Sequence, residues 1–416
     1  MTTTPLGAPR RSPRPARPAR RSAALVAALA AAALAGGAVA SASADDRAPS
    51  RDVPAQSAKL VSRHVLPAAT FGEPVPSGSA IETANGVAVP FEAQPVQGFS
   101  GNLVQPDGSY LVLSDNGYGT KANSADFLLT VHRLQPGADG ALSVVAGGFS
   151  LSDPYHHVGW PLTREDRRLT GADFDLESFR QAPDGTFWFG EEFGPYLLHT
   201  DAAGRLLQAP VPLPGVASPD NPQLGDATPN LASSKGFEGM AASADGRYLF
   251  PMLEGAVAGD DPQDLRVLRY DTEQGRYRGE EFTYRLESPG NAIGDLTQVD
   301  DHRFLVLERD NGQGPTAVFK AVFLVDTSVT DASGHPLKTQ LVNLMAVPDP
   351  DGVAGELSAA SGFLTFPFTT IESVDVLDEH TIVVGNDNNY PFSDGRVDGQ
   401  PDDDEFIGIQ VQADLR

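Results

Sequence analysis

Five segments, each with a small or acidic residue, recur along the chain, each followed by an acidic segment a short distance downstream. They are Gly98-Phe-Ser-Gly101 with Ser114-Asp-Asn-Gly117, Asp175-Leu-Glu-Ser178 with Gly190-Glu-Glu-Phe193, Gly236-Phe-Glu-Gly239 with Leu253-Glu-Gly255, Gly294-Asp-Leu296 with Glu308-Arg-Asp-Asn311, and Ile371-Glu-Ser373 with Gly385-Asn-Asp-Asn388. Carboxylates brought together in this number repel one another and call for a cation to offset them. The ligand set Asp115, Glu177, Glu192, Glu238, Glu254, Asp295, Asp310, Glu372 and Asp387, with amide oxygens from Asn116, Asn311, Asn386 and Asn388, is all hard oxygen. Such a set suits calcium, suits magnesium less, and offers softer metals neither a cysteine nor a histidine cluster.

The elements that must hold these acids are hairpins. Pro106-Asp-Gly-Ser109 and Pro183-Asp-Gly-Thr186 read as two-residue turns. Counting outward from them sets Ser100 opposite Asp115 and Glu177 opposite Glu192. Turns at His302-Arg303 and Glu379-His380 likewise set Asp295 opposite Asp310 and Glu372 opposite Asp387. In the third copy Glu238 faces Leu253 across the Asp245-Gly246 turn, and Glu254 lies one step beyond. The flanking runs, among them Tyr110-Leu-Val-Leu113, Thr186-Phe-Trp-Phe189 and Thr381-Ile-Val-Val384, are strand-like, and helical periodicity is scarce.

Repeats of one supersecondary unit, spaced 57 to 77 residues apart, predict an all-β β-propeller with long connecting loops. Dividing residues 58–416 into units of similar size predicts six blades, five of them marked by acids. The sixth would be closed by an N-terminal strand near Leu60–Leu66 and a C-terminal strand Phe406–Val411. A β-sandwich, or a pair of β-domains, is the alternative. Two longer segments, Leu151–Leu169 with His156, His157 and Trp160, and Gln208–Lys235, read as functional loops or disordered insertions.

Residues 1–44 read as an export signal. Six arginines and no acid precede an Ala-rich run from Ala23 to Ala40, and Ala42-Ser-Ala44 fits a cleavage site, cutting after Ala44. An N-terminal membrane anchor is the alternative, although the run is weakly apolar for a span, and no later stretch is long enough for one. Residues 45–57 read as a flexible leader, and 58–416 as one domain. Taking six arginines from 30 basic residues leaves 24 against 55 acidic ones, a net charge near −31 for an exported chain. That charge excludes a nucleic-acid partner. The absence of cysteine excludes disulfides, thiolate metal sites and a cysteine nucleophile. Composition does not fix an oligomeric state.

Lys235, Arg309 and Arg396 flank the acidic motifs. Beside an acid–metal cluster they are placed to take phosphate oxygens, or simply to pair with carboxylates. The expected catalytic set is Glu177, Glu192, Glu238, Lys235 and Arg309, with Lys235, Arg309, Arg396 and Asn388 contacting substrate.

Six motifs together resemble the bacterial phytase-like family, often described as having the esterase-like activity of phytase. They are Leu169-Thr-Gly-Ala-Asp-Phe-Asp-Leu-Glu-Ser178, Gly190-Glu-Glu-Phe-Gly-Pro195, Ser218-Pro-Asp-Asn-Pro222, Gly236-Phe-Glu-Gly-Met240, Leu307-Glu-Arg-Asp-Asn311 and Gly385-Asn-Asp-Asn-Asn-Tyr-Pro-Phe392. The resemblance spans roughly Gly98 to Ile409 and implies an exported β-propeller with phosphoesterase or esterase activity on a small anionic or ester substrate. Three functions fit the residues: calcium-dependent hydrolysis of phosphate esters, hydrolysis of carboxylic esters or lactones, and non-enzymatic binding with structural calcium. The sequence holds no Gly-x-Ser-x-Gly nucleophile elbow, which argues against a serine esterase.

Overall fold

The computed structural model describes Met1 and residues 58–416; the expected export signal and leader lie outside the described residues. A first strand, β1 (Lys59–Leu66), precedes the first sheet, which holds β2 (Phe99–Val104), β3 (Tyr110–Ser114), β4 (Thr130–Pro136) and β5 (Leu142–Ser150). The second holds β6 (Leu176–Gln181), β7 (Phe187–Glu191), β8 (Tyr196–Thr200) and the short β9 (Val211–Pro212). The third holds β10 (Phe237–Ala242), β11 (Tyr248–Leu253), β12 (Asp264–Asp271) and β13 (Arg276–Arg285). The fourth holds β14 (Ala292–Gln298), β15 (Arg303–Arg309), β16 (Lys320–Thr330) and β17 (Pro336–Asn343). A two-stranded ribbon follows, β18 (Val347–Pro348) with β19 (Phe363–Leu364), enclosing the single-turn helix α1 (Glu356–Ala359). The fifth sheet runs β20 (Thr370–Asp378), β21 (Thr381–Asp387), β22 (Asp404–Gln410) and then β1.

The blades therefore number five, not the six expected from chain length. The strands assigned to a sixth blade are the outer strands of the fifth: β1 pairs antiparallel with β22, from Lys59 opposite Gln410 to Leu66 opposite Asp404. The surplus length lies in inter-strand loops.

Each sheet is covered on both faces by its neighbours, so the inner strands are buried on both faces rather than alternately. All of Tyr110–Ser114 and all of Phe187–Glu191 are buried, whereas the outer β5 is largely exposed. One core fills each gap. Leu111 and Leu113 meet Phe179 and Phe189 between the first two blades; Trp188 and Leu197 meet Met240 and Leu249 in the next gap. Phe250 and Met252 meet Leu296 and Val306, and Leu305 and Leu307 meet Ile371 and Val374. Phe99 and Tyr110 meet Val383 and Phe406, returning the fifth blade to the first. The innermost strands accordingly touch in the cyclic order β2, β6, β10, β14, β20 and back to β2.

Close approach of these inner strands requires glycine at Gly294. A methyl there would lie 2.1 Å from the Ile371 carbonyl oxygen and 3.1 Å from Glu372 Cα. Gly294→Ala is expected to cost about 1–3 kcal/mol of stability, the range for overpacking a filled interior. Gly290→Ala, where nothing lies within 4 Å of the added methyl, should stay within about 0.5 kcal/mol of wild type. Denaturant unfolding of both variants checks the contrast, and equal midpoints would refute the packing of β14 against β20.

Candidate metal centre at the propeller axis

The turns differ from the two-residue reading. Gln105 N donates to Ser109 O (2.8 Å) and Gly108 N to Gln105 O (2.9 Å), giving a three-residue loop with Gly108 at φ +79°. Pro183 to Gly185 repeats the pattern, and Asp300 to His302 also form a three-residue loop. Only the Glu379-His380 turn has the expected two residues, with Asp378 opposite Thr381.

A second irregularity restores the convergence. Every innermost strand opens with a β-bulge, and the extra residue is Ser100, Glu177, Glu238, Gly294 or Glu372. A bulge re-aims the side chain it inserts. Ser100 Oγ donates to Glu372 Oε2 at 3.1 Å, and carboxylate oxygens of Glu177, Glu238 and Glu372 lie within 4.8 Å of one another.

Two residues before each bulge, the chain pairs with the residue that ends the second strand or follows it. Asp115 N donates to Gly98 O, Glu192 N to Asp175 O and Glu254 N to Gly236 O, each at 2.9 Å. Arg309 stands opposite Ala292, and Asp387 opposite Thr370. The five blades thus offer equivalent positions filled by Asp115, Glu192, Glu254, Arg309 and Asp387. In the fourth blade the equivalent pair is Gly294 with Arg309, not Asp295 with Asp310.

Asp295 and Asp310 accordingly leave the cluster. Asp295 accepts from Leu296 N (2.7 Å), Val374 N (3.1 Å) and Arg180 Nη2 (3.2 Å), and burial raises its pKa to about 6. Asp310 turns outward to Val318 N (2.7 Å) and Phe319 N (3.0 Å) and pairs with the buried Lys320 at 2.9 Å. Arg396 is also elsewhere, in a two-point pair with Glu405 (2.9 Å for each bond) that Arg63 shares. Asn388 is fully buried and serves the backbone: its Nδ2 donates to Asp402 O, and its Oδ1 accepts from Gly98 N. His156 is exposed, His157 is half-buried, and both lie outside the carboxylate groups.

Asp175 joins the site without having been expected there. It forms a triad with Glu177 and Glu192; further triads are Glu177, Glu238 and Glu372, and Glu192, Glu238 and Glu254, each with oxygens within 4.8 Å. Asn116 Nδ2 donates to Asp175 at 2.6 Å and Ser234 Oγ at 3.1 Å. The signal was in the sequence, since Asp175 belongs to the motif that contains Glu177.

Two cations face the six carboxylates. Arg309 Nη2 lies 3.0 Å from Glu372, 3.9 Å from Glu254 and 4.0 Å from Glu238. Its side chain is only 6% exposed, so it serves carboxylates rather than solvent. Lys235 pairs with Glu254 and keeps 39% of its side chain exposed. Lys235 ends the Gln208–Lys235 segment, which packs on the site: Lys121 Nζ donates to Asp220 O at 2.5 Å, and Ser218 Oγ to Phe193 O at 2.5 Å. Glu192 Oε1, Glu238 Oε1 and Arg309 Nε are buried with no hydrogen-bond partner.

Burial first, and neighbouring carboxylates second, hold Glu177, Glu192 and Glu238 well above the usual carboxylate range. Burial and Glu372 push Asp387 to about 8. A separate cavity of about 530 Å³ opens at the turn end of the hairpins, lined by Gln105, Arg180, Thr297, Gln298 and Asp375 among others. It contains none of the six carboxylates and lacks their charge convergence.

This arrangement defines a class: a five-bladed β-propeller with a buried carboxylate cup where its inner strands meet. Residues 94–390 match the family described as phytase-like, esterase-like activity of phytase, and the chain belongs to that family. An uncharacterized secreted protein of Arthroderma benhamiae is 26% identical over 185 residues, 35% of this chain and 36% of that protein, so the match spans about a third of the relative's length. Among solved structures, a protein of unknown function from Dyadobacter fermentans is 13% identical over 86% of this chain and 100% of that one, with a TM-score of 0.41. The periplasmic gluconolactonase of Pseudomonas aeruginosa is 18% identical over 74% of this chain and 72% of that one, with a TM-score of 0.30.

The raised pKa values fix the sign of a pH dependence. An acid whose folded pKa lies above its unfolded value stabilises the fold only while protonated, so stability falls as pH rises through the folded value. For Asp387 the window runs from 3.8 to about 8. Chelator-treated protein should melt at progressively lower temperature across that window. A melting temperature flat or rising from about pH 5 to 8 would show that the carboxylates are not held in the repelling arrangement described.

Proposed function

We propose that this chain is an exported hydrolase whose buried carboxylates hold a hard divalent cation, calcium by preference, and that it cleaves phosphate esters. The observation that carries this reading is the meeting of three overlapping carboxylate triads with two unpartnered oxygens, on Glu192 and Glu238. The donor set is all oxygen, and its negative charge exceeds what Arg309 and Lys235 offset, so the residues fit the ion. Asp175, Glu177 and Glu192, the triad free of an Arg309 pair, would hold it, and Glu238, Glu254 and Glu372 line the rest of the cup. When bound, such a cation neutralises an anionic substrate, polarises its ester and lowers the pKa of a coordinated water.

The chain's own groups take the remaining roles. Lys235, the more exposed of the two cations, meets a phosphoryl oxygen at the rim. Asn116 and Ser234 fix Asp175, which sets the position of the first triad. The relative from Arthroderma benhamiae is named as secreted, which accords with export; among the described residues no helix is long and apolar enough to cross a membrane.

A second reading has its own support. A cup this acidic, with one exposed cation, suits an uncharged carboxylic ester or lactone better than a polyanion unless metal fills it. Purified protein should release phosphate from a panel of phosphomonoesters including phytate. Chelation should abolish release, calcium should restore it, and Glu177→Gln should lower kcat at least about 100-fold, the scale of losing a key electrostatic group. Cleavage of aryl esters or lactones without phosphate release would move the assignment to the second reading. A calcium-dependent rise in melting temperature with no turnover on either panel would leave a binding protein with structural calcium.

A further inference from the structure

Blade symmetry sets an expectation that one residue breaks. The position following or ending the second strand is acidic in four blades, as Asp115, Glu192, Glu254 and Asp387, and is Arg309 in the fourth. The bulge of that same blade carries Gly294, which brings no side chain. One fifth of the ring thus has a guanidinium and no carboxylate. Arg309 reaches in from there to touch Glu238, Glu254 and Glu372 at 3.0 to 4.0 Å. Those acids belong to two of the three triads, Glu177/Glu238/Glu372 and Glu192/Glu238/Glu254. The remaining triad, Asp175/Glu177/Glu192, contains no residue paired with Arg309.

We propose that Arg309 is a tethered counter-ion standing where a second divalent cation would otherwise bind, so that metal is confined to Asp175, Glu177 and Glu192. The inference rests on the metal-binding reading above. Its physical basis is direct: a fixed positive charge about 4 Å away repels a divalent cation strongly at the low effective dielectric of a buried site. The guanidinium also occupies oxygens that a cation would need. Arg309 is always charged, so no pH in the working range releases it. The unpartnered Arg309 Nε accords with a group positioned for charge rather than for a full complement of hydrogen bonds.

Calcium titration of chelator-stripped protein by calorimetry tests this. Wild type should bind one ion at this centre. Arg309→Met, which keeps bulk and removes charge, should bind one more ion there, or bind its weakest ion on the order of 100-fold tighter. Arg309→Lys should titrate like wild type. A second pair of variants serves if Arg309→Met does not fold. Glu254→Gln should leave the wild-type affinity within a few-fold, whereas Asp175→Asn should lose the ion. Equal titrations of wild type and Arg309→Met, or an affinity lost in Glu254→Gln and kept in Asp175→Asn, would overturn the proposal. Absence of heat from every folded variant would instead sink the metal-binding reading itself.

Discussion

Repulsion between buried carboxylates is the constraint on which this structure turns. Two unit charges 4.8 Å apart interact by about 3–4 kcal/mol at an effective dielectric near 20. Whole domains are stable by only about 5–15 kcal/mol. A handful of such pairs, all ionised and uncompensated, would therefore exceed what folding supplies. Hydrogen bonds from Asn116, Ser100 and Ser234 and the charges of Arg309 and Lys235 offset only part of it. Protons or cations must account for the rest, and raised carboxyl pKa values and metal affinity are two expressions of that one deficit.

Backbone geometry enforces the convergence. A bulge in the first residues of every inner strand adds one residue at the same offset, so four chemically different segments aim a side chain at one axis and the fifth presents Gly294 there. The cores between blades fix the spacing of those strands, and glycine at Gly294 admits the closest of the approaches. Farther along the axis the charge pattern changes. Arg180 of β6 reaches past β10 to β14, bonding Leu296 O (2.8 Å), Thr297 Oγ1 (2.7 Å) and Asp295 (3.2 Å). The cup is thus one layer of a stratified channel, with an arginine–aspartate layer of its own below.

Much of this was legible in the sequence. The acid repeats, the propeller and the contributions of Glu177, Glu192, Glu238, Glu254 and Glu372 follow from motif spacing, because a repeated hairpin must present the same offset to a common axis. The blade count was not. β1 is an ordinary strand pattern, and nothing local marks it as the partner of β22 rather than the nucleus of another sheet. Register suffered from two hidden one-residue terms, the third loop residue at Gly108 and Gly185 and the bulge at each strand start. In the fifth blade two register shifts act, one at Glu372 and one between Val376 and Asp378, and in the fourth a turn lying earlier, at residues 300–302, and a bulge together moved Asp295 and Asp310 off the axis. Period-two patterning carries no trace of an inserted residue when the strand is buried on both faces.

Burial also decides what can neutralise the cup. Exposed carboxylates would be screened by salt within a Debye length, whereas these are shielded from mobile ions by the strands that carry them. Neutralisation must then come from groups fixed in the fold or from ions that exchange hydration for carboxylate oxygens. Arg309 supplies the first kind on the side of the fourth blade, and Asp175, Glu177 and Glu192 lie beyond its pairing contacts. Their mutual repulsion is relieved only by the neutral donors Asn116 and Ser234 and by Lys235, whose charge reaches Glu192 while its ion pair is with Glu254. A single arginine in place of an acid thus divides a nearly symmetric ring into a side that the fold pairs with a guanidinium and a side left to protons, Lys235 or an added cation.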